Sequence, residues 1–262
     1  MRKSTVEVVV ISLATAMERR RSMTAMLEGS RLNWSYFDAH RSLGNAALRY
    51  DSREARRRFG RVLTGPEIAV YSSHFTVWQQ FLDRGSADFV LVLEDDVIFD
   101  IDFPLEAFSA YCAERNIDYI RLFGKHFAGA NWLGYFFDRS IIRYKTSPAG
   151  TQAYLMSKQG AKLLTENSRL VDATIDLAMD RFWESQLPIY SIFPYPVIER
   201  YAPTSIPIPT THEAFGAEDR FAWNCHRALG KAKKIYANIT LRTADVRMKQ
   251  KSPEFRQVFD SA

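Results

Sequence analysis

The sequence predicts an α/β sandwich in which a mainly parallel central sheet is flanked by helices. Two observations indicate this fold class. Short runs of β-branched and other apolar residues alternate along the chain with segments whose apolar residues recur at helical spacing, which is typical of strands joined by crossover helices. The chain of 262 residues is also 47% hydrophobic and 13% aromatic, so it can bury a substantial core.

The predicted elements follow one another from the amino terminus. Thr64, Pro66 and Glu67 have the spacing of a capping box, so a long helix with one buried face is expected to begin there. Taken in order, the strands are predicted at 6–12, 34–38, 89–93, 118–123, 154–156 and 189–193, and the helices at 18–27, 64–82, 104–115, 158–164 and 171–183.

Three segments do not fit this pattern. Residues 50–61 are rich in arginine and predict a solvated helix or loop. Residues 124–134 combine spaced glycines with aromatic residues and predict a mobile loop at a binding site. Residues 194–209 hold five of the ten prolines and predict an extended, structured loop.

Composition restricts the cellular setting and the partners. The net charge of +5 favours polyanionic partners, namely a nucleotide, a phosphorylated lipid, a membrane surface or nucleic acid, and composition does not choose among them. The partners finally predicted from the whole sequence do not include nucleic acid. No apolar run approaches the roughly 18 residues that span a bilayer, and the first residues lack the pattern of a signal peptide. Cys112 and Cys225 lack metal-ligand spacing and predict reduced thiols in a cytoplasmic protein.

The most informative motif is a run of three carboxylates at the end of a predicted buried strand. Glu94, Asp95 and Asp96 follow five apolar residues, at the edge where α/β sheets place their ligands. Adjacent like charges favour a divalent cation such as Mn²⁺ or Mg²⁺, and Asp96 is the first choice as its ligand. From this run alone, a solvated acidic turn is an equally good interpretation.

Other candidate groups are weaker when taken singly. Arg19 or Arg20, after the first strand, could bind a diphosphate, although a charged helix face explains either one more simply. Asp172, Asp176 and Asp180 are spaced four residues apart and predict one helix face, which solvent exposure explains equally well. His74 is a candidate ligand contact, but a hydrogen-bonded structural histidine is the more common case.

Several enzyme classes lose support because their motifs are missing from the sequence. It contains no glycine-rich phosphate loop of the P-loop or dinucleotide type, which argues against ATPases and dehydrogenases. It also contains no nucleophile elbow, which argues against a serine hydrolase.

Six segments between residues 6 and 200 resemble, in the same order, glycosyltransferase family 25, which includes the bacterial lipooligosaccharide galactosyltransferases. Val70 stands where many members have a cysteine, and the chain beyond Pro209 resembles the family only loosely. The segments are Val10-Ile11-Ser12-Leu13 with Ala16 and Glu18-Arg19-Arg20; Phe37-Asp38-Ala39; Leu63-Thr64 with Glu67, Ile68-Ala69, Ser73-His74 and Trp78; Leu93-Glu94-Asp95-Asp96-Val97; Gly150-Thr151-Gln152-Ala153-Tyr154 with Ser157, Gly160 and Ala161; and Ile175-Asp176-Leu177 with Met179.

The resemblance implies a GT-A-type nucleotide-binding fold, a UDP-sugar donor, Mn²⁺ or Mg²⁺, and transfer with inversion. It implies Asp176 as the general base, with Asp180 in reserve, and Asp96 with Glu94 as cation ligands. A contact of Asp176 with the donor sugar or the metal is the alternative to its role as base. The donor contacts that it implies are Ser12, Leu13, Arg19, Arg20, Glu94, Asp95, Arg121, Gly150 and Thr151. On the acceptor side, aromatic faces suit sugar rings, so Trp132 and Tyr135 are expected to form a wall, with His74 nearby.

The chain is predicted to consist of a catalytic domain over 1–210 and a basic, mainly helical extension over 211–262. The extension is expected to pack on the domain or to face an anionic membrane, on the inner side of the cytoplasmic membrane. The resulting prediction is a hexosyltransferase, with galactose as the sugar and a lipooligosaccharide or related glycan as the acceptor. The alternatives are a transferase with another UDP-sugar or a protein-linked acceptor, a metal-dependent phosphoesterase or nucleotidyltransferase, and a catalytically silent binding module.

Overall fold

An eight-stranded sheet runs through the part of the chain that the computed structural model describes, which comprises residues 4–84, 86–200 and 216–250. The order of its strands is β2-β1-β4-β9-β6-β11-β8-β7. These strands are β1 (Val6–Ser12), β2 (Trp34–Asp38), β4 (Phe89–Glu94), β6 (Tyr119–Arg121), β7 (Ala130–Phe136), β8 (Arg139–Tyr144), β9 (Ala153–Ser157) and β11 (Tyr190–Phe193), and two small pairs are formed by β3 (Arg49–Tyr50) with β10 (Leu170–Val171) and by β5 (Val97–Phe99) with β12 (Val197–Glu199).

The sheet is mixed, but most of its strands share one direction. β1 is parallel to β2 and β4, and β6 is parallel to β11. β9 runs antiparallel to both β4 and β6, and β8 runs antiparallel to both β11 and β7. Only β9 and β8 are therefore reversed among the eight strands, so the α/β sandwich with a mainly parallel sheet is confirmed.

Helices cover both faces of the sheet. Both faces of β4 are buried, which explains why its residues do not alternate between apolar and polar. Leu91 and Leu93 lie in one core cluster, while Val90 and Val92 lie in the other. The first cluster also receives side chains of α1 and α4, and the second receives those of α3 and α5. The helices are α1 (Met17–Leu27), α2 (Ser52–Phe59), α3 (Gly65–Arg84), α4 (Leu105–Glu114), α5 (Lys158–Asn167), α6 (Ile175–Met179), α7 (Phe182–Ser185) and α8 (Ala217–Gln250).

The predicted capping box is present at the start of α3. The Thr64 backbone N–H donates to Glu67 Oε2 at 2.8 Å, and the Glu67 N–H donates to Thr64 Oγ1 at 3.4 Å. Arg61 also donates to both Glu67 oxygens, at 2.9 and 2.6 Å. These hydrogen bonds fix the start of the helix that carries His74 into the site.

Two segments differ from the sequence-based expectation. The segment over 124–134, predicted as a loop, contains the start of β7, which forms an edge hairpin with β8. The helical stretch predicted over 171–183 is divided into α6 and α7 by residues 180 and 181, and it is preceded by β10. Asp172, Asp176 and Asp180 therefore do not share a helix face, because Asp172 precedes α6 and Asp180 follows it.

The arginine-rich segment forms α2, which Asp51 caps through its side chain and against which α8 packs. Asp219 of α8 lies 3.0 Å from Arg57, and Asp245 near its other end pairs with the buried Arg143 of β8 at 2.7 Å. The predicted domain boundary at residue 210 and most of the proline-rich loop lie outside the described residues. Among the described residues, no helix has the length and apolar character needed to cross a membrane.

Candidate active site

The carboxyl ends of β1 and β4 and the amino end of β9 meet at one edge of the sheet. This arrangement follows from topology, because β9 is antiparallel to β4, and the residues before it reach the acidic motif. A cleft of about 550 Å³ opens here. Several predicted residues line it together, namely Ser12, Leu13, Arg19, His74, Glu94, Asp95 and Asp96.

Glu94, the last residue of β4, is held by two neighbours. Thr151 Oγ1 donates to Glu94 Oε1, and His74 Nε2 lies 3.5 Å from the same oxygen. Burial raises the pKa of Glu94, but the contacts with His74 and Thr151 outweigh burial, and the pKa falls below its ordinary value. Glu94 is therefore kept ionised at the cleft.

His74 is oriented by a chain of buried side chains. Trp78 Nε1 donates to the Tyr154 phenol oxygen at 2.9 Å, and that oxygen lies 2.8 Å from His74 Nδ1. Because an indole can only donate, the tyrosine oxygen accepts from Trp78 and has its own hydrogen left for Nδ1. When the phenol donates that hydrogen to Nδ1, the imidazole hydrogen is on Nε2, the nitrogen that lies 3.5 Å from Glu94 Oε1.

Asp95 points away from Glu94, toward β1 and α1. Its Oδ2 accepts from Ser12 Oγ at 2.7 Å, and its Oδ1 accepts from Arg19 Nη1 at 2.9 Å. Arg20 lies beneath the turn after β1, where it donates to the carbonyl oxygens of Ser12 and Leu13 at 2.8 and 3.1 Å. Arg20 therefore shapes the turn, and it does not line the cleft.

Asp96 has an oxygen without a partner. Its Oδ1 is buried and accepts no hydrogen bond from the described residues, while Arg19 lies 3.6 Å from Oδ2. Burial raises the pKa of Asp96 to about 6, helped by the charges of Glu94, Asp95 and Glu199 and opposed by Arg19. The position lacks positive charge, so a cation would suit it.

A complete protein cage for a metal ion is not present, since the described residues hold no cluster of three or more His, Cys, Asp or Glu side chains suited to one. Mg²⁺ is commonly bound by one or two carboxylates, with waters and substrate phosphates completing its shell. The unpartnered Asp96 oxygen, with Glu94 beside it, fits that open kind of site.

Arg121 and Asp180 do not face the cleft. Both are buried, and Arg121 Nε and Nη2 donate to Asp180 Oδ1 at 3.1 and 2.6 Å. Ser147 donates to the other Asp180 oxygen, and Arg121 also donates to the carbonyl of Gly150. The expected roles as donor contact and reserve base do not fit, because these groups are fully engaged in holding the segment before β9.

Asp176 lies against the same segment. Its Oδ2 accepts from the Gly150 backbone N–H at 3.2 Å, and its Oδ1 accepts from the N–H of Leu177 at 2.9 Å. The negative charge of Asp176 opposes the lowering of the Glu94 pKa by His74 and Thr151, so the two carboxylates are neighbours. Gly150 has φ of +83°, and an added Cβ would come within 2.5 Å of the Gln152 side chain, so the position requires glycine.

Trp132 and Tyr135 lie elsewhere. They are in β7, the edge strand on the other side of the sheet from β2 and β1. The centroids of their two rings lie 5.2 Å apart. Lys249 of α8 lies 5.9 Å from the centre of the Trp132 ring. The expected wall on the acceptor side is therefore not formed by these residues in this structure, because β7 lies at the far edge of the sheet and Trp132 contacts α8.

Other residues in the cleft were not predicted. His40, Arg41 and Glu199 line it alongside the acidic motif, whereas Lys125, which also lines it, belongs to the segment 124–134 that was predicted to lie at a binding site. Glu199 arrives because β12 pairs with β5 directly after the motif, a contact across about one hundred residues that no local pattern announces. His40 could have been predicted from the sequence, because it follows the second predicted strand and so lies at the same end of the sheet as the acidic motif.

The chain is similar to known proteins in family, sequence and structure. Residues 5–183 match the family described as glycosyltransferase family 25 (LPS biosynthesis protein). The lacto-N-neotetraose biosynthesis glycosyltransferase LgtE of Neisseria meningitidis serogroup B is 26% identical over 208 residues, which cover 71% of each chain. A human protein named inactive glycosyltransferase 25 family member 3 is 36% identical over 104 residues, 37% of this chain but only 17% of the human one.

Solved structures show weaker likeness. A glycosyltransferase involved in the glycosylation of the major capsid of PBCV-1 aligns with 62% of this chain and 65% of its own, at 15% identity and a TM-score of 0.35. A197 from STIV aligns with 79% of this chain and all of its own, at 10% identity and a TM-score of 0.40.

Proposed function

Because this chain belongs to glycosyltransferase family 25, we propose that it transfers a sugar from a nucleotide-sugar donor to a glycan acceptor at the acidic cleft. One observation carries the proposal. At the carboxyl end of β4, in an open cleft of about 550 Å³, Asp96 keeps a buried oxygen beside Glu94 for which the described part of the chain offers no hydrogen-bond partner. That volume lies in the range of small-molecule sites.

The donor in this proposal is a UDP-sugar, bound together with Mn²⁺ or Mg²⁺. Asp96 and Glu94 would hold the cation, which supplies positive charge to the departing diphosphate when it is bound. Support comes from the electrostatics of Asp96: Arg19 lies 3.6 Å from one of its oxygens but also pairs with Asp95 at 2.9 Å, and the pKa of Asp96 stays raised. Ser12, Leu13 and Asp95 line the same cleft and would contact the nucleotide.

Asp176 is proposed as the base that takes the proton from the acceptor hydroxyl, with inversion at the transferred sugar. Its position beside Gly150 and Glu94 supports this role, and each of its oxygens has spare acceptor capacity. Glu94 is the competing candidate, because it lines the cleft and stays ionised.

The sugar is proposed to be galactose and the acceptor a lipooligosaccharide or related glycan. The Neisseria relative is named for the biosynthesis of a glycan, lacto-N-neotetraose, and the family is described by LPS biosynthesis; both support the acceptor class, while galactose follows from the resemblance alone. The alternatives are a different UDP-sugar, a protein-linked acceptor, and metal-dependent phosphoester chemistry at the same carboxylates. A silent binding protein is the second candidate, and the specific observation in its favour is the relative named inactive.

A cytoplasmic enzyme that touches an anionic membrane completes the proposal. The exposed side of α8 carries Leu229, Tyr236, Ile239 and Val246 among many cationic residues, which suits a lipid surface. Density-gradient flotation of the protein with phosphatidylglycerol vesicles would test this part.

The deciding experiment for the donor is thermal unfolding with UDP-galactose, UDP-glucose, UDP-N-acetylglucosamine, GDP-mannose and CMP-sialic acid, each with Mn²⁺ or with EDTA. We expect stabilisation by UDP compounds only when the cation is present, since a ligand that binds the native state raises its stability. UDP release assays with an acceptor panel would then follow. If no compound stabilises well-folded protein, the binding-module alternative replaces the transferase.

A further inference from the structure

A second cavity, of about 560 Å³, lies between α8 and the region of α7. It is as large as the acidic cleft, but it has the opposite charge. Five cationic side chains and one carboxylate line it, namely Arg58, Arg181, Arg227, Lys231, Lys234 and Glu184.

Only part of this positive charge is balanced by the protein. Asp172 lies 3.0 Å from Arg58 and 2.7 Å from Arg181, and Glu54 and Glu184 lie 3.8 Å from Arg58 and Arg181 respectively, so both arginines are balanced. By contrast, no carboxylate within the described ranges lies at ion-pair distance from Arg227, Lys231 or Lys234 of α8. The cavity therefore holds excess positive charge, a condition that attracts anionic ligands.

Trp183 provides a second, independent observation. It lines the cavity, its Nε1 is buried, and no hydrogen-bond acceptor for that nitrogen exists among the described residues. The Lys234 ammonium lies 5.8 Å from the centre of its ring. An indole N–H that lacks an acceptor, next to unbalanced cations, suits a ligand whose oxygens both accept hydrogen bonds and carry negative charge.

The cavity is connected to the acidic cleft through one short segment. Thr146 lines the basic cavity, Ser147 holds Asp180, and Thr151 holds Glu94. Six consecutive residues thus extend from the wall of the basic cavity to the acidic motif. Six residues of extended chain span at most about 20 Å, which limits the separation of the two sites along this segment.

We propose that this basic cavity binds a phosphate or carboxylate group of the glycan acceptor, an inference that rests on the proposed function. The arginines offer planar forks that match such groups, and the lysines add point charges. The cavity would thereby select acceptors that carry an anionic substituent and would hold them in a fixed orientation relative to the cleft.

A binding experiment tests the site without any need for turnover. Inorganic phosphate is titrated into the full-length protein while tryptophan fluorescence is followed, with Trp183→Phe identifying the signal of Trp183. We expect the double variant Lys231→Ala/Lys234→Ala to weaken phosphate binding by about tenfold or more. The matched control is Lys233→Ala, an exposed α8 lysine that does not line the cavity. The proposal would be overturned if the wild type, the double variant and Lys233→Ala bound phosphate equally, or if the wild type showed no saturable binding.

Kinetics then identify the source of the anion. With a phosphorylated lipooligosaccharide acceptor, the double variant should show a raised acceptor KM and an unchanged kcat, and enzymatic dephosphorylation of the acceptor should abolish the difference from wild type. Loss of phosphatidylglycerol vesicle binding in the double variant, with an unchanged acceptor KM, would replace the glycan by a lipid headgroup. The phosphate titration does not depend on donor binding. If no donor binds but phosphate does, the proposed function fails while the basic cavity remains an anion site.

Discussion

Tyr154 and His74 are joined by a buried hydrogen bond of 2.8 Å, and this bond connects the core of the protein with the acidic motif. Tyr154 lies in the middle of β9, fully buried, and its oxygen also accepts from Trp78 of α3. The far nitrogen of His74 faces Glu94. Orientation of the ionised carboxylate in the cleft thus depends on Tyr154 and Trp78, two buried side chains that do not line the cleft.

The first prediction concerns this chain of contacts. Tyr154→Phe removes the acceptor for Trp78 and the partner of His74, so we expect a loss of about 1–3 kcal/mol in unfolding free energy. Activity should fall by about 10–100-fold, as is typical when the support of a ligating group is removed. The matched control is Tyr119→Phe, because the buried Tyr119 hydroxyl has no partner among the described residues. Similar effects of both variants in urea unfolding would contradict the assigned role.

The second prediction is a pH dependence at Asp96. Its pKa is raised from 3.8 to about 6, so its contribution to stability is fully present below pH 4 and is lost as the pH rises through 6. In EDTA, Asp96→Asn should therefore have a higher Tm than wild type at pH 8, and the difference should shrink toward pH 4.

Addition of Mn²⁺ at pH 8 should then stabilise only the wild type. The exposed Asp138, in the turn between β7 and β8, provides the control variant Asp138→Asn. A wild type that is more stable than Asp96→Asn in EDTA at pH 8 would show that the carboxylate is not short of positive charge.

The third prediction separates the two candidate bases. Asp176→Asn should lower kcat by about 10²–10⁴-fold, the usual contribution of a general base, with little effect on the affinity for UDP. Glu94→Gln should weaken both cation-dependent UDP binding and turnover. If Asp176→Asn mainly weakens UDP binding while Glu94→Gln mainly lowers kcat, the two roles must be exchanged.

The fourth prediction concerns the buried pair of Arg121 and Asp180. Asp180→Ala leaves the arginine charge uncompensated inside the protein, so we expect a loss of about 3–5 kcal/mol in unfolding free energy. Surface substitutions such as Asp138→Ala should change it by no more than about 0.5 kcal/mol. Urea unfolding measures both. A loss below 1 kcal/mol for Asp180→Ala would mean that the pair does not hold the segment before β9.

The fifth prediction concerns the attachment of α8. Asp245 binds Arg143 through both of its oxygens and also accepts from Asn131, so Asp245→Ala should loosen the end of the helix. Hydrogen exchange of residues 241–250 should rise strongly, while Arg242→Ala, an exposed neighbour, should leave it unchanged. Unchanged exchange in both variants would place the anchoring elsewhere.

The sequence predicted the elements whose signals are local. β4 was recognisable because a strand buried on both faces needs a continuous apolar run, and α3 because Thr64 and Glu67 mark its start. The family membership that the ordered motifs predicted is also confirmed, since residues 5–183 match the family. A local pattern was sufficient in each of these cases.

The failures have a common physical origin in contacts that are distant in sequence. β7 was taken for a loop because Gly134 and the neighbouring aromatic residues resemble one, whereas pairing with β8 makes the segment a strand with a bulge. Asp180 looked like a site residue because spacing does not show that Arg121 neutralises it from 59 positions away. Glu199 was missed for the same reason, since only the pairing of β12 with β5 brings it to the cleft.

The length of α8 has a consequence for how the chain tolerates insertions and deletions. Asp219 and Asp245 anchor opposite ends of the helix, and a rise of 1.5 Å per residue separates them by about 39 Å. Deletion of one residue between them would rotate one anchor by about 100° relative to the other, so both ion pairs could not form together. Deletion of seven residues would restore the rotation but shorten the helix by roughly 10 Å. Both ion pairs therefore require a fixed number of residues between Asp219 and Asp245. Insertions and deletions should be tolerated only outside the segment between these two residues.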